Sequence, residues 1–373
     1  MDKFTYVLMA AEKTAEKAAA GGGSRVSGTV LSILFAAAFF CLIIVIHEFG
    51  HFIVAKKCGI RVDEFAIGMG PVIYKKQGEE TLFTLRLLPI GGFCSMGEDI
   101  EDDDPNSFRK KPVPSRIAVI AAGAVMNLIL GFILSVVLLL VDGRVTSSEI
   151  VWFSDDAVST QYGLQMNDTI VKINGVRIFS AKDIIYQLGN DEDGIVDFVV
   201  RRNGELVRLD NVRFEMKTDP ATGKSTLIYD FKVQAVKITA ANLVPYSFKN
   251  ALYYGRIVLM SLRDIIRGKY GVNDLQGPVG IVTTIGDVAE QSGFDISFLL
   301  DIATLVTINI GIFNLLPVPA LDGGRLVLLI VEAIRRKAMK AETEGMIHFV
   351  GFALLMVLMV VVTFNDVKNI FVK

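Results

Sequence analysis

Apolar residues along this 373-residue chain gather into four runs long enough to cross a bilayer, and between them the pattern turns polar and irregular. Three runs are clean: about Val30 to Ala55, Ile117 to Val141, and Ile347 to Phe364. A fourth, Ile296 to Pro317, carries Asp301, Asn309 and Asn314 but is still long enough. A span needs about 20 residues to cover ~30 Å of hydrocarbon. The pattern therefore predicts a polytopic α-helical membrane protein with about four transmembrane helices, because buried helices of a soluble core would not reach bilayer length.

Between the runs the period changes. Residues 63–98 hold Phe65 to Pro71, a charged turn at Gly78-Glu79-Glu80, then Leu82 to Leu88 and Pro89-Ile90-Gly91-Gly92-Phe93. This is a β-hairpin with a glycine-rich apolar second strand, too apolar for an ordinary cytoplasmic loop. Residues 142–241 alternate short strands with turns. Asn174-Gly175 is a type I′ turn signal, a helix begins near Asp183, and Val196–Arg201 and Leu206–Leu209 form a closing strand pair. Asn242 to Lys269 reads as an amphipathic helix suited to a membrane surface. Small residues at four-residue spacing in the second run, Gly123, Asn127 and Gly131, read as helix packing.

Charge sets the orientation. Ten Lys and Arg fall between Lys56 and Arg116, and five more follow the third span (Arg325, Arg335, Arg336, Lys337 and Lys340). The N-terminal arm has four and the C-terminal tail two. By the positive-inside rule both basic connections are cytoplasmic, and both termini and the 142–295 loop are extracytoplasmic. A net charge of -2 calls for no nucleic acid. Three scattered cysteines, Cys41, Cys58 and Cys94, make no disulfide framework. Residues 1–29 form an arm with a Gly21-Gly22-Gly23-Ser24 linker, fit no cleavable signal peptide well, and suggest no function.

The first run ends in His47-Glu48-Phe49-Gly50-His51. Positions i and i+4 share a helix face, so both imidazoles can hold one metal ion, and Glu48 beside them can act on a water at that ion. Two of the protein's three histidines lie in this motif. Ionisable groups inside an apolar helix are expensive to bury, which makes function their default explanation. At 1.5 Å per residue, His51 sits roughly 6–12 Å inside the cytoplasmic edge of the membrane. A catalytic zinc takes three protein ligands and one open position. Asp322 is one candidate for the third, in Asn314-Leu315-Leu316-Pro317-Val318-Pro319-Ala320-Leu321-Asp322-Gly323-Gly324, where prolines and glycines expose backbone at membrane depth. An interfacial cap on a helix from about Arg325 to Arg336 is the plain alternative for Asp322. His348, at the start of the last span, is the rival ligand.

The paired motifs, HExxH in a first span and Asn314-x-x-Pro317-x-Pro319-x-Leu321-Asp322-Gly323 far downstream, resemble the site-2 protease family of M50-type intramembrane zinc metalloproteases. More narrowly they resemble the bacterial RseP type, the regulators of sigma-E. The resemblance covers Val30 to the C-terminus. It implies one catalytic Zn2+ held by His47, His51 and Asp322, with Glu48 activating water. It also implies substrate contacts from Asn314, Pro317, Pro319 and the strand Gly91, Gly92, Phe93, whose edge pairs with an extended substrate in a membrane-re-entrant sheet. Residues 162–175 are similar to the bacterial PDZ pattern, and this chain has room for one such domain where the enterobacterial type carries two. Gly123-Ala124 also stands where that family shows Gly-Pro.

The organisation expected is an arm (1–29), TM1 with HExxH (30–57), a cytoplasmic-side segment with the re-entrant hairpin (58–116) and TM2 (117–141). Then follow an extracytoplasmic α/β PDZ domain (142–241), an amphipathic surface helix and linker (242–295), TM3 with the Asp322 motif and following helix (296–346), and TM4 with the tail (347–373). The implied activity is cleavage in or near the transmembrane segments of single-span proteins, such as anti-sigma factors and remnant signal peptides, in a bacterial inner membrane. The lipid bilayer and a peptide ligand at the PDZ domain are the implied partners. Two other classes stay in view: a membrane scaffold with a degenerate metal site, and a metal transporter, for which this chain lacks ligands along a path.

Overall fold

The computed structural model describes residues 25–97, 104–191, 193–218, 225–268, 277, 280 and 295–372. The chain divides into two units: residues 1–134 with 258–373, and residues 135–257. Most of the N-terminal arm, residues 1–24, lies outside the described residues, as does Lys269.

The first unit contains the apolar helices. Helix α1 spans Arg25–Lys57 and α2 Val113–Asp142, the latter running on into the second unit. Later in the chain come α5, Ile296–Phe313, α6, Asp322–Arg335, and α7, Ala341–Val372. (Helices α3, Ala181–Gly189, and α4, Ala240–Ile266, belong wholly or largely to the second unit.) Stretches 37–57, 113–142, 296–313 and 342–368 are long and apolar enough to cross a membrane, which fits a polytopic membrane protein and the four runs of the sequence. Helix α1 meets α2 backbone to backbone: a Cβ on Gly50 would sit against Ala122 O and Met126. At the end of α1 a small core of Ala55, Ile60, Val62, Phe108, Val119 and Leu329 gathers α1, α2 and α6. Arg116 on α2 pairs with Glu332 on α6, both nearly buried, fixing those helices to each other.

Between α1 and α2 lie two 14-residue strands, β1, Glu64–Gln77, and β2, Leu82–Ser95. Each bends, so the expected hairpin is wider than a simple two-stranded one. Residues 72–77 pair antiparallel with 82–86, residues 64–67 run beside 82–85 in parallel, and 64–67 pair antiparallel with 92–95. The segment 92–95 therefore lies at one edge. The bend in β1 uses Gly68 and Gly70 at φ +84, a region an L side chain resists. Arg86 staples the bend, donating to Glu64 Oε1 (2.7 Å) and Gly70 O (2.9 Å). Met69, Val72, Ile73, Tyr74, Leu87 and Leu88 remain exposed on this sheet.

The second unit is an α/β domain. Its strands are β3 (Arg144–Phe153), β4 (Thr169–Ile173), β5 (Val176–Arg177), β6 (Ile195–Arg202), β7 (Glu205–Arg213) and β10 (Phe231–Lys237), in the order β10-β3-β4-β6-β7 with β5 paired to β4. A small hairpin, β8 (Met216–Thr218) with β9 (Ser225–Leu227), stands apart from that sheet. Helix α3 (Ala181–Gly189) starts with the Asp183 carboxylate accepting from the backbone N–H groups of Phe179 and Ser180, at 2.7 and 3.0 Å. Ile150, Leu164, Ile173, Leu188, Val196 and Phe198 fill the core. The Asn174-Gly175 turn forms as read: φ is +46 and +77, the two positive values a type I′ turn requires. Asn203-Gly204 repeats the device between β6 and β7, at +52 and +91.

Helix α4, Ala240–Ile266, matches the amphipathic stretch seen in the sequence. Its residues in the second unit grip the start of α3. Lys182 Nζ donates to Tyr254 Oη at 2.7 Å, and Arg256 pairs with the buried Asp183.

Candidate metal centre and active site

Helix α1 presents His47 and His51 one turn apart, as the i, i+4 spacing demands. Their rings meet edge to face with centroids 4.8 Å apart, and the two Nε2 atoms lie 3.2 Å from each other. Asp322 completes the group from a distant part of the chain. Its Oδ2 is 3.0 Å from His47 Nε2 and 3.3 Å from His51 Nε2. These three are the group among the described residues that could hold a metal ion.

The hydrogen bonds around the group test whether a cation fits. His51 Nδ1 lies 2.8 Å from Val119 O. A carbonyl only accepts, so Nδ1 carries the proton, and in the neutral imidazole that ligates a metal Nε2 presents a lone pair toward Asp322. Asp322 Oδ2 has no hydrogen-bond donor among the described residues and is shielded from solvent. Two acceptors thus face each other at 3.3 Å. His47 Nδ1 lies 3.3 Å from the amide nitrogen Nδ2 of Asn127. Asn127 is fully buried and its Oδ1 has no partner among the described residues. An amide turned to present that oxygen accepts from His47 Nδ1–H and leaves a second lone pair pointing inward. Converging acceptors of this kind, two imidazole nitrogens and one carboxylate, are the donor set zinc takes.

Helix α2 is therefore half of the site. Gly123 faces both imidazoles: a Cβ there would stand 2.8 Å from His47 Cε1 and 2.7 Å from His51 Cε1. The stripe of Gly123, Asn127 and Gly131 read as packing alone holds good for Gly131, which meets Ile308. Gly123 and Asn127 instead lie against the two imidazoles. The signal was present in the sequence as an asparagine, a costly residue in an apolar helix, but which group it served depended on how α1 and α2 are apposed.

Asp322 is delivered by the irregular stretch between α5 and α6. The loop closes on itself through Gly323 N to Asn314 O, 2.7 Å, and Leu321 N to Val318 O, 3.1 Å. Gly323 and Gly324 lie against the loop backbone at Leu315, Leu316 and Val318, where no side chain fits. Asp322 is the first residue of α6, which begins three residues before the expected Arg325. Its carboxylate turns to the histidines rather than capping the helix. His348, the rival ligand, accepts from Ala320 N at 3.2 Å and is not part of the metal group.

Glu48, next to His47, lies within electrostatic reach of His47, His51 and Asp322, and its carboxylate accepts from the backbone N–H of Cys94. The β2 edge thus reaches the site: a Cβ on Gly92 would be 3.5 Å from Glu48 Cγ and 2.9 Å from Ala66 O. Phe93 lies under the Arg86 guanidinium, 5.0 Å from its ring centroid. Gly91, at φ +86, has its open side against Met69. In the other strap, Pro317 is exposed, Asn314 is half-buried and gives its carbonyl to loop closure, and Pro319 packs on Gly351. Cys41, Cys58 and Cys94 form no disulfide.

The family profile described as "Peptidase family M50" matches residues 35–358. Zinc metalloprotease RasP of Shouchella clausii is 30% identical over 417 residues, covering 90% of this chain and 98% of that protein. Zinc metalloprotease RasP of Bacillus licheniformis is 31% identical over 418 residues, covering 89% and 97%. Regulator of sigma-W protease RasP of Bacillus subtilis is 29% identical over 415 residues, again covering 89% and 97%.

Proposed function

As a member of peptidase family M50, this chain is a membrane-embedded zinc metalloendopeptidase, and we propose that it cuts peptide bonds in or beside the transmembrane segments of single-span membrane proteins. The observation that carries this is the joining of three features at one point. A group of three side chains able to ligate a metal, the carboxylate of Glu48, and a sheet edge at Gly92 to Cys94 meet at the end of an apolar helix.

In this reading His47, His51 and Asp322 hold the ion. Zinc, when bound there, supplies Lewis-acid activation of water and of the scissile carbonyl. Glu48 takes the proton from the attacking water and returns it to the leaving amine as the C–N bond breaks. The edge of β2 at Gly91, Gly92 and Phe93 pairs with the substrate backbone, which must leave its helix before any peptide bond is accessible. The exposed apolar face of β1 and β2 suits a sheet that dips into the membrane, where loose backbone is tolerated only beside a protein-lined cavity. Asn314 and Pro317, on the strap leading to Asp322, bound the opposite side, and Pro319 sets the strap's shape.

The basic connections support a metal group near the cytoplasmic face and a second unit outside the cytoplasm. A PDZ reading of that unit draws support from its Asn-Gly turn, from α3 and from the β6–β7 strand pair, and β10 leaves one edge without a partner strand among the described residues. Its role would be to bind a peptide end or to bar substrates that still carry a bulky outer domain. Membrane-anchored anti-sigma factors and remnant signal peptides are substrates of the right topology, and regulated intramembrane proteolysis is the setting.

Cleavage of a tagged single-span protein by the purified enzyme tests the proposal, with wild type and Glu48→Gln compared with and without a zinc chelator. Cutting by wild type alone, abolished by the chelator, is the expected result. A Glu48→Gln protein that holds zinc and still cuts normally would sink it.

A further inference from the structure

Ala320 is the one residue of the strap whose backbone needs support. Its φ is +79, a left-handed conformation in which an L side chain crowds the following carbonyl. The other non-glycine residues at positive φ among the described residues are four asparagines and Arg336. Asparagine tolerates this region through local hydrogen bonds of its short side chain, and alanine has no such means. The strain also sits two residues before Asp322, so any relaxation of Ala320 rotates the peptide units that aim the carboxylate. Strain of this kind persists only where surrounding structure over-determines it.

The surrounding structure is α7. The N–H of Ala320 donates to His348 Nδ1 at 3.2 Å. Three residues along the same helix, Gly351 takes the neighbouring peptide: a Cβ there would collide with Pro319 Cβ and its backbone carbonyl. One helix face thus offers an acceptor to Ala320 and a flat seat to Pro319. On the other flank the strap is tied by Gly323 N to Asn314 O. His348 stands outside the metal group while touching the loop that aims a member of it.

We propose that His348 is a positioning residue: its imidazole holds Ala320 in the left-handed conformation, and that conformation presents Asp322 to the zinc. The inference rests on the reading of Asp322 as a zinc ligand. It gives the protein's third histidine a role that is neither ligation nor interfacial decoration. It also makes α7 a determinant of metal affinity although α7 supplies no ligand.

The test uses the full-length protein in detergent, loaded with zinc and challenged with a colorimetric chelator. Zinc per chain, the half-time of zinc release, and the absorption spectrum of the cobalt-substituted form are read. His348→Ala is expected to release zinc at least about tenfold faster, the low end of what loss of a group orienting a ligand costs. His348→Asn, whose carboxamide oxygen can replace Nδ1 as acceptor, should stay within about threefold of wild type. The discriminating variant is His348→Ala with Ala320→Gly. Glycine takes positive φ without support, so this pair should recover most of the lost retention, whereas a mere packing defect in α7 would not respond. Ala320→Val with His348 intact should loosen zinc as His348→Ala does, and it decides the matter if His348→Ala fails to fold. Asp322→Ala is the reference. If it loses zinc while His348→Ala and Ala320→Val both retain it like wild type, or if glycine at 320 rescues nothing, the positioning role is wrong. If Asp322→Ala itself retains zinc like wild type, the ligand assignment falls and the inference with it.

Discussion

The carboxamide of Asn127, fully buried on α2, lies 3.3 Å from Nδ1 of His47 on α1. This pairing orients one imidazole from the neighbouring helix, as Val119 O orients the other. Replacing Asn127 with Leu should weaken zinc binding by about 10–100-fold. Asn127→Asp keeps an acceptor and should retain zinc better than Asn127→Leu. Metal content after dialysis against a graded chelator series measures both. Equal affinity in the leucine variant and wild type would remove Asn127 from the site.

Gly123 is where the two imidazoles leave no room. A methyl group at this position would meet Cε1 of His51 at 2.7 Å and Cε1 of His47 at 2.8 Å, well inside van der Waals contact. Gly123→Ala should therefore cut proteolytic activity by about a hundredfold or more, since a misplacement near 1 Å at reacting groups costs on that order. Helix propensity itself favours alanine, so thermal unfolding should not fall in proportion. Circular dichroism alongside the cleavage assay separates the two effects.

Cys94 donates its backbone N–H to Glu48 from the sheet edge. Cys94→Pro removes that donor and the edge's capacity for strand pairing. Cleavage should drop at least about tenfold while zinc content stays at that of wild type. Cys94→Ala keeps the N–H and should behave like wild type. If the proline variant cut normally, the edge would not be the substrate's docking strand.

Asp168, with no exposed surface, accepts from Arg202 Nε and Nη2 at 2.8 Å each and from Gln165 N at 2.9 Å. The pairing also raises the Arg202 guanidinium above its ordinary pKa, first through that hydrogen bond. Asp168→Ala removes the acceptor of Arg202 and of Gln165 N and should destabilise the second unit by about 1–3 kcal/mol. Limited proteolysis of the full chain should then cut within 135–257 at lower denaturant, with zinc retention unchanged.

Much of this protein is determined by its order of residues alone. Hydrophobic runs of bilayer length specify helices, because backbone groups in lipid have no partner but their own helix. The spacing of His47 and His51 places two imidazoles on one face because the helical period is about 3.6 residues. The Asn174-Gly175 turn forms as read because its geometry is local. What the order of residues could not decide is which distant groups meet. Asp322 faces the histidines, and His348 does not, because the strap from Asn314 to Gly324 closes on itself and seats against α7. Gly123 and Gly131 share one helix and one spacing, yet one makes room for imidazoles and the other for Ile308. Four paired segments stand where a hairpin was expected, because Gly68 and Gly70 bend β1 and residues 64–67 pair on both sides. Local periodicities are written in neighbouring residues, whereas contacts between remote segments are set by how whole surfaces close-pack, and only the tertiary structure chooses among those arrangements.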